Sequence, residues 1–290
     1  MLTHLNAVPA DPKRVVVIGA GGFVGGTLAD HLDRAGIETL RVTRHDVNLL
    51  SDDAARQLSA LIRPEDAVVA VSAIAPCKTT QMLADNMRLT LAMTTALAEV
   101  NPAHVVNVSS DAVYPDEPVP LTEAVPAAPG SLHGAMHLAR EIAFQADVAG
   151  PLAIVRPTLI YGAEDPHNGY GPNKFRRLVS DGQTITLFGE GEERRDHVYV
   201  HDVADLIVRI LRAKSTGILN IATGDVHSFK DIAEKVVALS GKPVSIQGSP
   251  RSGPMPHNGY RPFAIDACKA AFPDFAYTSL EDGLKQSAGV

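Results

Sequence analysis

A glycine-rich stretch near the N-terminus constrains the fold of this chain more than any other feature of its sequence. Residues 15–18 are β-branched, which is typical of a strand buried in a parallel sheet. Glycines follow at once, and Leu28, Leu32 and Ala35 then recur at helical spacing. A strand, a glycine turn and a helix in this order form a cradle for a pyrophosphate, because the helix N-terminus offers free N–H groups and a positive dipole end. The sequence therefore predicts a phosphate-binding βα unit, and a glycine-rich surface turn is the alternative.

The residues of this turn have separate expected roles. Gly19 permits a tight turn, Gly22 lets the backbone approach the phosphates, and Gly25 lets the helix pack closely on the strand. Phe23 and Val24 begin the helix and are expected to contact the same ligand. Together these five residues are the predicted centre of a dinucleotide-binding site.

The end of the second predicted strand bears on which dinucleotide is bound. Residues 38–43 form this strand, and the residue that ends it meets the adenosine ribose in dinucleotide-binding folds. Arg44 follows directly and no carboxylate occurs before Asp46, which favours a 2′-phosphate. The predicted cofactor is therefore NADP, with NAD as the alternative. Asp46 and Val47 are expected to lie beside the adenine.

Strand and helix signals alternate along the first half of the chain. Apolar runs predict strands at residues 66–73, 104–109 and 152–156, and amphipathic segments predict helices at residues 51–63, 81–100 and 133–148. This alternation predicts an α/β fold: a Rossmann-like doubly wound parallel sheet with a smaller C-terminal α/β substrate lobe. Ligands bind at the carboxyl ends of such strands, where Ser72, Ala73, Ser110 and Pro157 fall.

The expected organisation has three parts. Residues 1–13 form a flexible N-terminal arm, residues 14–162 an NAD(P)-binding Rossmann domain, and residues 163–290 a substrate-binding lobe. Within the lobe, the strand signal at residues 218–221 is expected to return to the main sheet.

Composition narrows the classes of partner. The formal net charge of −7 argues against a nucleic-acid surface, and no apolar run is long enough to span a bilayer. Residues 1–13 lack the pattern of a signal peptide, and two distant cysteines match no metal or redox spacing. We therefore expect a cytoplasmic protein with reduced cysteines and a small-molecule substrate, bound to neither nucleic acid nor membrane.

Five sequence blocks occur in an order that resembles the extended short-chain dehydrogenase/reductase family of NAD(P)-dependent nucleotide-sugar epimerases, dehydratases and reductases. The blocks are GAGGFVGG from Gly19, VVNVSSDAVYP from Val105, IVRPTLIYG from Ile154, ITLFGEGEERRDHVYVHDVADLI from Ile185 and ILNIATG from Ile218. The segment TRHDVNLLSDD is similar to the dTDP-4-dehydrorhamnose reductase branch. The resemblance implies a nucleotide-sugar substrate and a homodimer formed through the helices at residues 81–100 and 133–148.

The resemblance also implies roles for single residues. Asn86 supports the cofactor cleft from the long helix, and Ser110 is the catalytic hydroxyl that binds the reacting substrate oxygen. Arg195 grips the substrate diphosphate, for which an arginine fork is well suited, and the alternative for it is a surface ion pair with the nearby Asp196 or Glu192. Further implied substrate contacts are Asp111, Asn173 and Arg261.

One helix departs from the family pattern. The family uses a Tyr-x-x-x-Lys pair, in which the Lys binds the nicotinamide ribose and lowers the pKa of the Tyr for proton exchange. His133 and His137 stand at these two positions. Both are therefore predicted catalytic residues, and His137 is also a predicted cofactor contact.

Three interpretations of this replacement remain open. In the first, the His133 imidazole exchanges the proton, since its ordinary pKa of about 6.5 suits neutral pH. In the second, redox chemistry is lost or altered and the fold persists as a binding module or another kind of enzyme. In the third, His133, His137 and Glu141 share one helical face as metal ligands, although no metal site is expected because a further ligand is not apparent.

The sequence thus predicts an NAD(P)-dependent oxidoreductase or epimerase acting on a nucleotide sugar or related polyol. Ser110 would polarise the reacting oxygen and His133 would handle the proton. The alternative is a dinucleotide-binding protein of the same fold without redox turnover.

Overall fold

The computed structural model describes residues 2–117, 119–166 and 168–289. Its strands are β1 (Leu2–His4), β2 (Val15–Ile18), β3 (Thr39–Val42), β4 (Ala67–Ala70), β5 (His104–Val108), β6 (Leu152–Pro157), β7 (Leu159–Tyr161), β8 (Ile185–Phe188), β9 (Arg194–Tyr199), β10 (Ser215–Ile221), β11 (Val226–Ser228), β12 (Ile246–Ser249) and β13 (Tyr260–Arg261). Its helices are α1 (Phe23–Arg34), α2 (Ala54–Leu61), α3 (Thr80–Val100), α4 (Leu132–Asp147), α5 (Pro172–Ser180), α6 (Val200–Ala213), α7 (Phe229–Ser240), α8 (Asp266–Ala271) and α9 (Leu280–Ala288), with 3₁₀ turns at Asp111–Val113 and Pro256–Gly259. Across these residues, no helix has the length and apolarity that a membrane span requires.

The main sheet has the strand order β1-β10-β6-β5-β4-β2-β3. Every neighbouring pair in it is parallel except β1 with β10, which is antiparallel. The chain passes from β2 outward to β3 and then back across to β4 on the other side of β2. This reversal opens a crevice above the carboxyl end of β2, where doubly wound sheets bind ligands. The predicted fold class is confirmed.

Alternating side chains of the central strands fill two apolar layers. Val15 and Val17 of β2 pack with residues of α1 and α6 on one face of the sheet. Val16 and Ile18 pack on the other face with residues of α2, α3 and α4, including Phe144. Because successive side chains of a strand point to opposite faces, the β-branched run is buried on both sides.

The C-terminal part builds smaller sheets against the main one. Strand β9 pairs with β7, β11 and β13, and β8 pairs with β12. Phe175 of α5, Phe229 of α7 and Leu284 of α9 share a third apolar cluster. Strand β10 lies in the main sheet, beside β6.

The prediction of a flexible N-terminal arm is wrong for the described residues. Strand β1 extends the main sheet, with Thr3 opposite Thr216 of β10. The Ala10 N–H then donates to the carbonyl of Arg212 at 3.0 Å, and the Arg212 guanidinium pairs with Asp11 at 2.6 Å. Without β1, strand β10 would be the edge of the main sheet and would have unpaired backbone N–H and C=O groups. Strand β1 forms hydrogen bonds with these groups.

Candidate functional site

A cavity of about 890 Å³ opens at the carboxyl ends of the central strands. It brings together residues that the sequence assigned to a cofactor and to catalysis. The predicted residues that line it are Gly19, Gly22, Phe23, Val24, Gly25, Arg44, Val47, Ser72, Ala73, Ser110, Asp111, His133, His137, Pro157 and Arg195. Asp46, Asn86, Asn173 and Arg261 are not among its lining residues.

The glycine turn has the stereochemistry of a phosphate cradle. Gly19 has a φ of +100°, and a Cβ there would lie 2.7 Å from the Ser72 hydroxyl oxygen. A Cβ on Gly25 would overlap the carbonyl of Gly19. Gly22 precedes α1, whose N-terminus has no side-chain cap and no acidic residue in its first turn. The turn therefore leaves helix N–H groups and positive potential facing the cavity, so the residues present fit a dinucleotide.

Two arginines that are close in the sequence, Arg41 and Arg44, have different environments near the end of β3. Arg41 is paired with Asp30 at 2.7 Å and Asp33 at 2.5 Å, outside the cavity. Arg44 lines the cavity and is exposed. Asp46 accepts hydrogen bonds from the backbone and the hydroxyl of Thr43, at 2.8 and 2.7 Å, and these bonds lower the pKa of its carboxyl. The Asp46 carboxylate is thus used within the turn itself. This arrangement does not support the predicted contact between Asp46 and adenine.

Asn86 supports the cleft from α3 without lining it. Its amide oxygen accepts the Ile74 N–H at 2.9 Å, and its amide nitrogen donates to the Ile74 carbonyl at 3.0 Å. This pair of bonds fixes the segment after β4 that carries Ser72 and Ala73. Because Asn86 itself is buried, its predicted cofactor role is one of positioning.

A buried guanidinium lies behind the cavity floor. Arg140 of α4 donates to the Asn107 side-chain oxygen at 2.7 Å and to the carbonyls of Ala70, at 2.8 Å, and Ser72. These acceptors are all neutral, and burial lowers the pKa of Arg140 to about 10. Arg140 therefore ties α4 to the carboxyl ends of β4 and β5, a role that helical periodicity alone did not indicate.

A second buried network fixes the segment that carries Ser110. Glu141 accepts from Arg156 at 2.9 and 2.6 Å and from the Ser109 hydroxyl at 2.5 Å. Arg156 also donates to the Tyr114 hydroxyl at 2.8 Å. The Ser110 hydroxyl oxygen accepts the Ala112 N–H at 3.1 Å, which places this side chain at the start of the 3₁₀ turn and on the cavity wall.

His133 and His137 form a pair of facing imidazoles. Their ring centroids are 4.7 Å apart and their planes meet at 85°. The Cys77 N–H donates to His133 Nδ1 at 3.3 Å. Burial lowers the pKa of His133, an effect that the negative charge of Asp111 partly offsets. Burial, His133 and Arg140 together lower the pKa of His137 well below its usual value. Both rings are therefore neutral at pH 7.

The arrangement of the side chains does not support a metal site at His133 and His137. Both carboxylate oxygens of Glu141 are taken by Arg156 and Ser109. Across residues 2–117, 119–166 and 168–289, no three His, Cys, Asp or Glu side chains are placed to hold a metal ion.

The chain contains one Tyr-x-x-x-Lys spacing elsewhere, at Tyr170 and Lys174. It falls outside α4, in the segment that leads into α5. The Tyr170 ring packs against Phe188 and Phe229 with centroids 4.6 Å away, and its hydroxyl accepts the Phe188 N–H at 3.0 Å. Burial raises the pKa of this phenol. Tyr170 therefore has a packing role and does not restore the family pair.

Arg195 lies where the cavity meets the C-terminal part of the chain. Its guanidinium is 3.7 Å from Asp111 and 3.4 Å from Glu193, with 11% of the side chain exposed. These partners differ from Asp196 and Glu192, which adjacency in the sequence suggested. Arg195 faces the cavity and can exchange its carboxylate partners for a ligand anion.

The structure does not support direct substrate binding by Arg261. Its Nε donates to the Asp111 carboxylate at 3.1 Å, and its terminal nitrogens donate to Asp116, Pro115 and the Asp111 and Tyr114 carbonyls. All five N–H groups are thereby engaged, and 1% of the residue is exposed. Arg261 holds the segment after β5 in place and keeps Asp111 beside Arg195.

A smaller cavity of about 240 Å³ adjoins the first and shares His133 with it. Asn173 lines it, and the Asn173 side-chain oxygen accepts the Gly162 N–H at 3.1 Å. The lining residues of the two cavities that the sequence did not single out include Asn48, Thr158, His197 and His257. His257 comes from a proline- and glycine-rich loop, whose course over the cavity no local pattern encodes.

Comparison with known proteins agrees with this geometry. Residues 15–222, more than half of the chain, match the model of the NAD dependent epimerase/dehydratase family. The chain is 27% identical over 266 residues to a UDP-glucose 4-epimerase of Mycolicibacterium smegmatis, covering 79% of this chain and 83% of that protein. It is 32% identical over 138 residues to a dTDP-L-rhamnose 4-epimerase of Burkholderia thailandensis; that match spans 44% of this chain and 38% of the relative's length.

Solved structures share the fold over nearly the whole chain. A GDP-L-fucose synthetase from Naegleria fowleri bound to NADP has a TM-score of 0.83 at 17% identity, covering 99% of this chain and 96% of that one. A UDP-glucose 4-epimerase from Thermotoga maritima with UDP-glucose also has a TM-score of 0.83, at 19% identity, covering 95% and 97%. The protein belongs to the NAD dependent epimerase/dehydratase family.

Proposed function

We propose that this protein is an NAD(P)-dependent oxidoreductase or epimerase that acts on a nucleotide sugar or related polyol. The observation that carries the proposal is that the glycine turn, Ser110 and His133 line one continuous cavity. A dinucleotide on the glycine turn and a substrate beside Ser110 would then meet inside it. Proteins similar to this chain act on UDP-, dTDP- and GDP-linked sugars, which supports the substrate class.

Each side of the cavity has a separate task in this proposal. A bound nicotinamide dinucleotide supplies or accepts the hydride. The N-terminus of α1 binds its phosphates, and Ser110 and His133 contact the substrate oxygen at the reacting carbon. Arg195 exchanges Asp111 and Glu193 for the substrate diphosphate, which keeps its charge compensated throughout.

A dinucleotide-binding protein without redox turnover is the second candidate. It is favoured by one observation, that the helix carrying the reactive pair has two neutral imidazoles and neither a phenol nor an ammonium. Dinucleotide binding with no turnover of any nucleotide sugar would establish this candidate.

Turnover assays with the purified full chain test the proposal. UDP-, dTDP- and GDP-linked hexoses and ketohexoses are offered with NADPH, NADP, NADH and NAD, and both cofactor absorbance and sugar products are followed. Ser110→Ala should lower kcat about 100-fold, the cost of one lost donor to a developing oxyanion, while leaving dinucleotide affinity unchanged. Ser240→Ala, on the exposed end of α7, is the matched control. Full activity of Ser110→Ala would contradict the assignment.

For the cofactor we propose a preference for NADP. The support is the position of Arg44, which lines the adenosine end of the cavity and whose neighbour Asp46 is turned back on Thr43. A guanidinium binds a 2′-phosphate well, and no carboxylate among the residues lining this end is placed to accept a 2′-hydroxyl.

We also propose that the protein is a homodimer through the outer faces of α3 and α4. Leu91 of α3 and Ile142 of α4 are 64% and 56% exposed, and Leu132 at the start of α4 is 37% exposed. Leu91→Asp combined with Ile142→Asp should yield a monomer in sedimentation velocity. Phe188→Asp, at an equally exposed apolar residue on β8, should leave the assembly unchanged. A wild-type monomer would contradict the proposal.

The proposed compartment is the cytoplasm. Cys77 and Cys268 are both free and buried, which suits a reducing environment. Cell fractionation with an antibody to the full chain would test this assignment, and recovery with secreted proteins would contradict it.

A further inference from the structure

The hydrogen bond from the Cys77 backbone N–H determines the tautomer of His133, that is, which of its two ring nitrogens carries the hydrogen. A backbone N–H can only donate, so the Nδ1 that receives it at 3.3 Å carries a lone pair. A neutral imidazole has one N–H, which must then lie on Nε2. Within the described part of the chain Nε2 has no hydrogen-bond partner, and the ring lines both cavities. The N–H is thus available to a ligand.

His137 has a matching arrangement. Its Nδ1 is buried and has no partner among the described residues. A buried N–H without an acceptor is rarer and more costly than an unpaired lone pair, which favours the proton on Nε2. The His137 ring also lines the large cavity.

The charges around His133 do not favour an imidazolium. Cys77 contacts the ring through its backbone N–H. The titratable groups around the ring are Asp111 of the 3₁₀ turn and His137 of α4, together with residues that line the smaller cavity with it, namely Asp165, Tyr170 and His197. The Asp111 carboxylate is shared with Arg261 at 3.1 Å and Arg195 at 3.7 Å. No carboxylate among the described residues accepts a hydrogen bond from His133, and burial favours its neutral form.

We propose that His133 acts as a neutral hydrogen-bond donor through Nε2–H, with His137 as a second donor, and that neither ring exchanges a proton with the substrate. This inference rests on the proposed function and narrows it. A site with donors and no base suits the reduction of a keto sugar. It does not suit the oxidation of an alcohol, which must lose its hydroxyl proton.

The reductive step balances without a side-chain acid. A bound reduced dinucleotide would supply the hydride for the new C–H bond at the carbonyl carbon, and the C=O π pair would move onto oxygen. Nε2–H of His133 and the hydroxyl of Ser110 would stabilise the resulting oxyanion, which would take a proton from water and leave a hydroxide that the buffer neutralises. The substrate must therefore come from a reaction that generates a keto group on a nucleotide-linked sugar.

The tautomer is tested directly by NMR on the full chain labelled with ¹⁵N-histidine, with and without NADP. His133→Gln and His137→Gln assign the signals. The expected result is a neutral ring with hydrogen on Nε2 at His133 from pH 7 to pH 8. Hydrogen on Nδ1, or protonation of the ring within this range, would overturn the proposal. This readout needs no turnover, so failure of the proposed function would be recognised separately.

Substitutions then separate donation from proton exchange. The Gln amide N–H reaches the position of Nε2, whereas the Asn amide reaches that of Nδ1. With dTDP- and UDP-linked ketohexoses and NADPH, His133→Gln should retain kcat within about tenfold, and His133→Asn and His133→Ala should lose about 100-fold. Equal losses for Gln and Asn would overturn the donor role. So would a higher rate of alcohol oxidation than of ketone reduction at pH 7.

Discussion

Two neighbouring arginines illustrate what decides the role of a single residue in this protein. Arg41 is engaged by Asp30 and Asp33 on the surface of α1. Arg44 lines the cavity and has no ion pair with any residue that the structure describes. The sequence places both near the end of β3, and the carboxylates of α1 account for the difference between them.

Replacement of Arg44 should therefore change cofactor preference. Arg44→Ala is expected to weaken NADP binding about 10- to 150-fold, because a charge-assisted hydrogen bond contributes about 1.5–3 kcal/mol, and to leave NAD affinity nearly unchanged. Isothermal titration with both dinucleotides measures this. Arg41→Ala, whose charge is already compensated, should leave the ratio of the two affinities as it is in wild type. Equal weakening of NADP and NAD by Arg44→Ala would refute the assignment.

At the scale of elements, helix α4 is held to the sheet by buried polar groups as well as apolar packing. Arg140 binds the ends of β4 and β5, while Glu141 binds Arg156 of β6 and Ser109. These bonds fix the helix that carries His133 and His137. Apolar packing alone tolerates small shifts, whereas hydrogen bonds of defined geometry do not.

Loss of the Glu141 charge should destabilise the fold. Glu141→Gln leaves the Arg156 guanidinium, 5% exposed, without its carboxylate, and an uncompensated buried charge costs about 3 kcal/mol or more. Urea unfolding followed by circular dichroism measures this loss. Glu281→Gln removes the same charge from an exposed pair with Lys285, which water screens, and should leave the free energy of unfolding nearly unchanged. Similar effects of the two substitutions would show that the buried network is not stabilising.

At the scale of the whole molecule, buried histidines couple stability to acid. Burial lowers the pKa of His31 and His104 to about 4 and also lowers that of His133 and His137. An unfolded chain returns these groups to a pKa of about 6.5. The unfolded state then binds more protons than the folded one between these values, so stability falls as pH drops below 6.5 and is fully present above it.

His104 allows a quantitative test. Its Nε2 donates to the Ser215 carbonyl at 2.7 Å, and the Gln amide can replace this donor without titrating. Relative to His104→Gln, the wild type should lose about 2.5 kcal/mol of unfolding free energy between pH 7.5 and pH 4.5. Urea unfolding of both proteins at each pH measures the difference. A pH-independent difference would show that His104 is not shifted.

The comparison with a variant is needed because other groups titrate in the opposite direction. Burial raises the pKa of Asp196 to about 6, so this carboxyl favours the folded state more at low pH than at high pH. The pH dependence of the wild type alone sums both contributions. The difference between wild type and His104→Gln isolates the histidine.

The resemblance to a known family singled out Ser110, His133 and His137, whereas local patterns in the sequence determined the strand–turn–helix unit at Gly19 and the alternation of elements. These follow from side-chain periodicity and from the stereochemistry of glycine, which act over a few residues. The fold class and the part of the large cavity's lining at the carboxyl ends of the strands were accordingly predictable, whereas Asp46, Asn173 and Arg261 were predicted at the site and do not line this cavity.

Tertiary structure alone decided how those residues are used. The bond between Cys77 and His133 joins positions 56 apart, and the one between Asp111 and Arg261 joins positions 150 apart. Strand β1 pairs with β10, more than two hundred residues away. No local pattern encodes such contacts. Yet they determine which imidazole nitrogen holds a proton, which arginine can reach a ligand and whether the N-terminal segment is a strand.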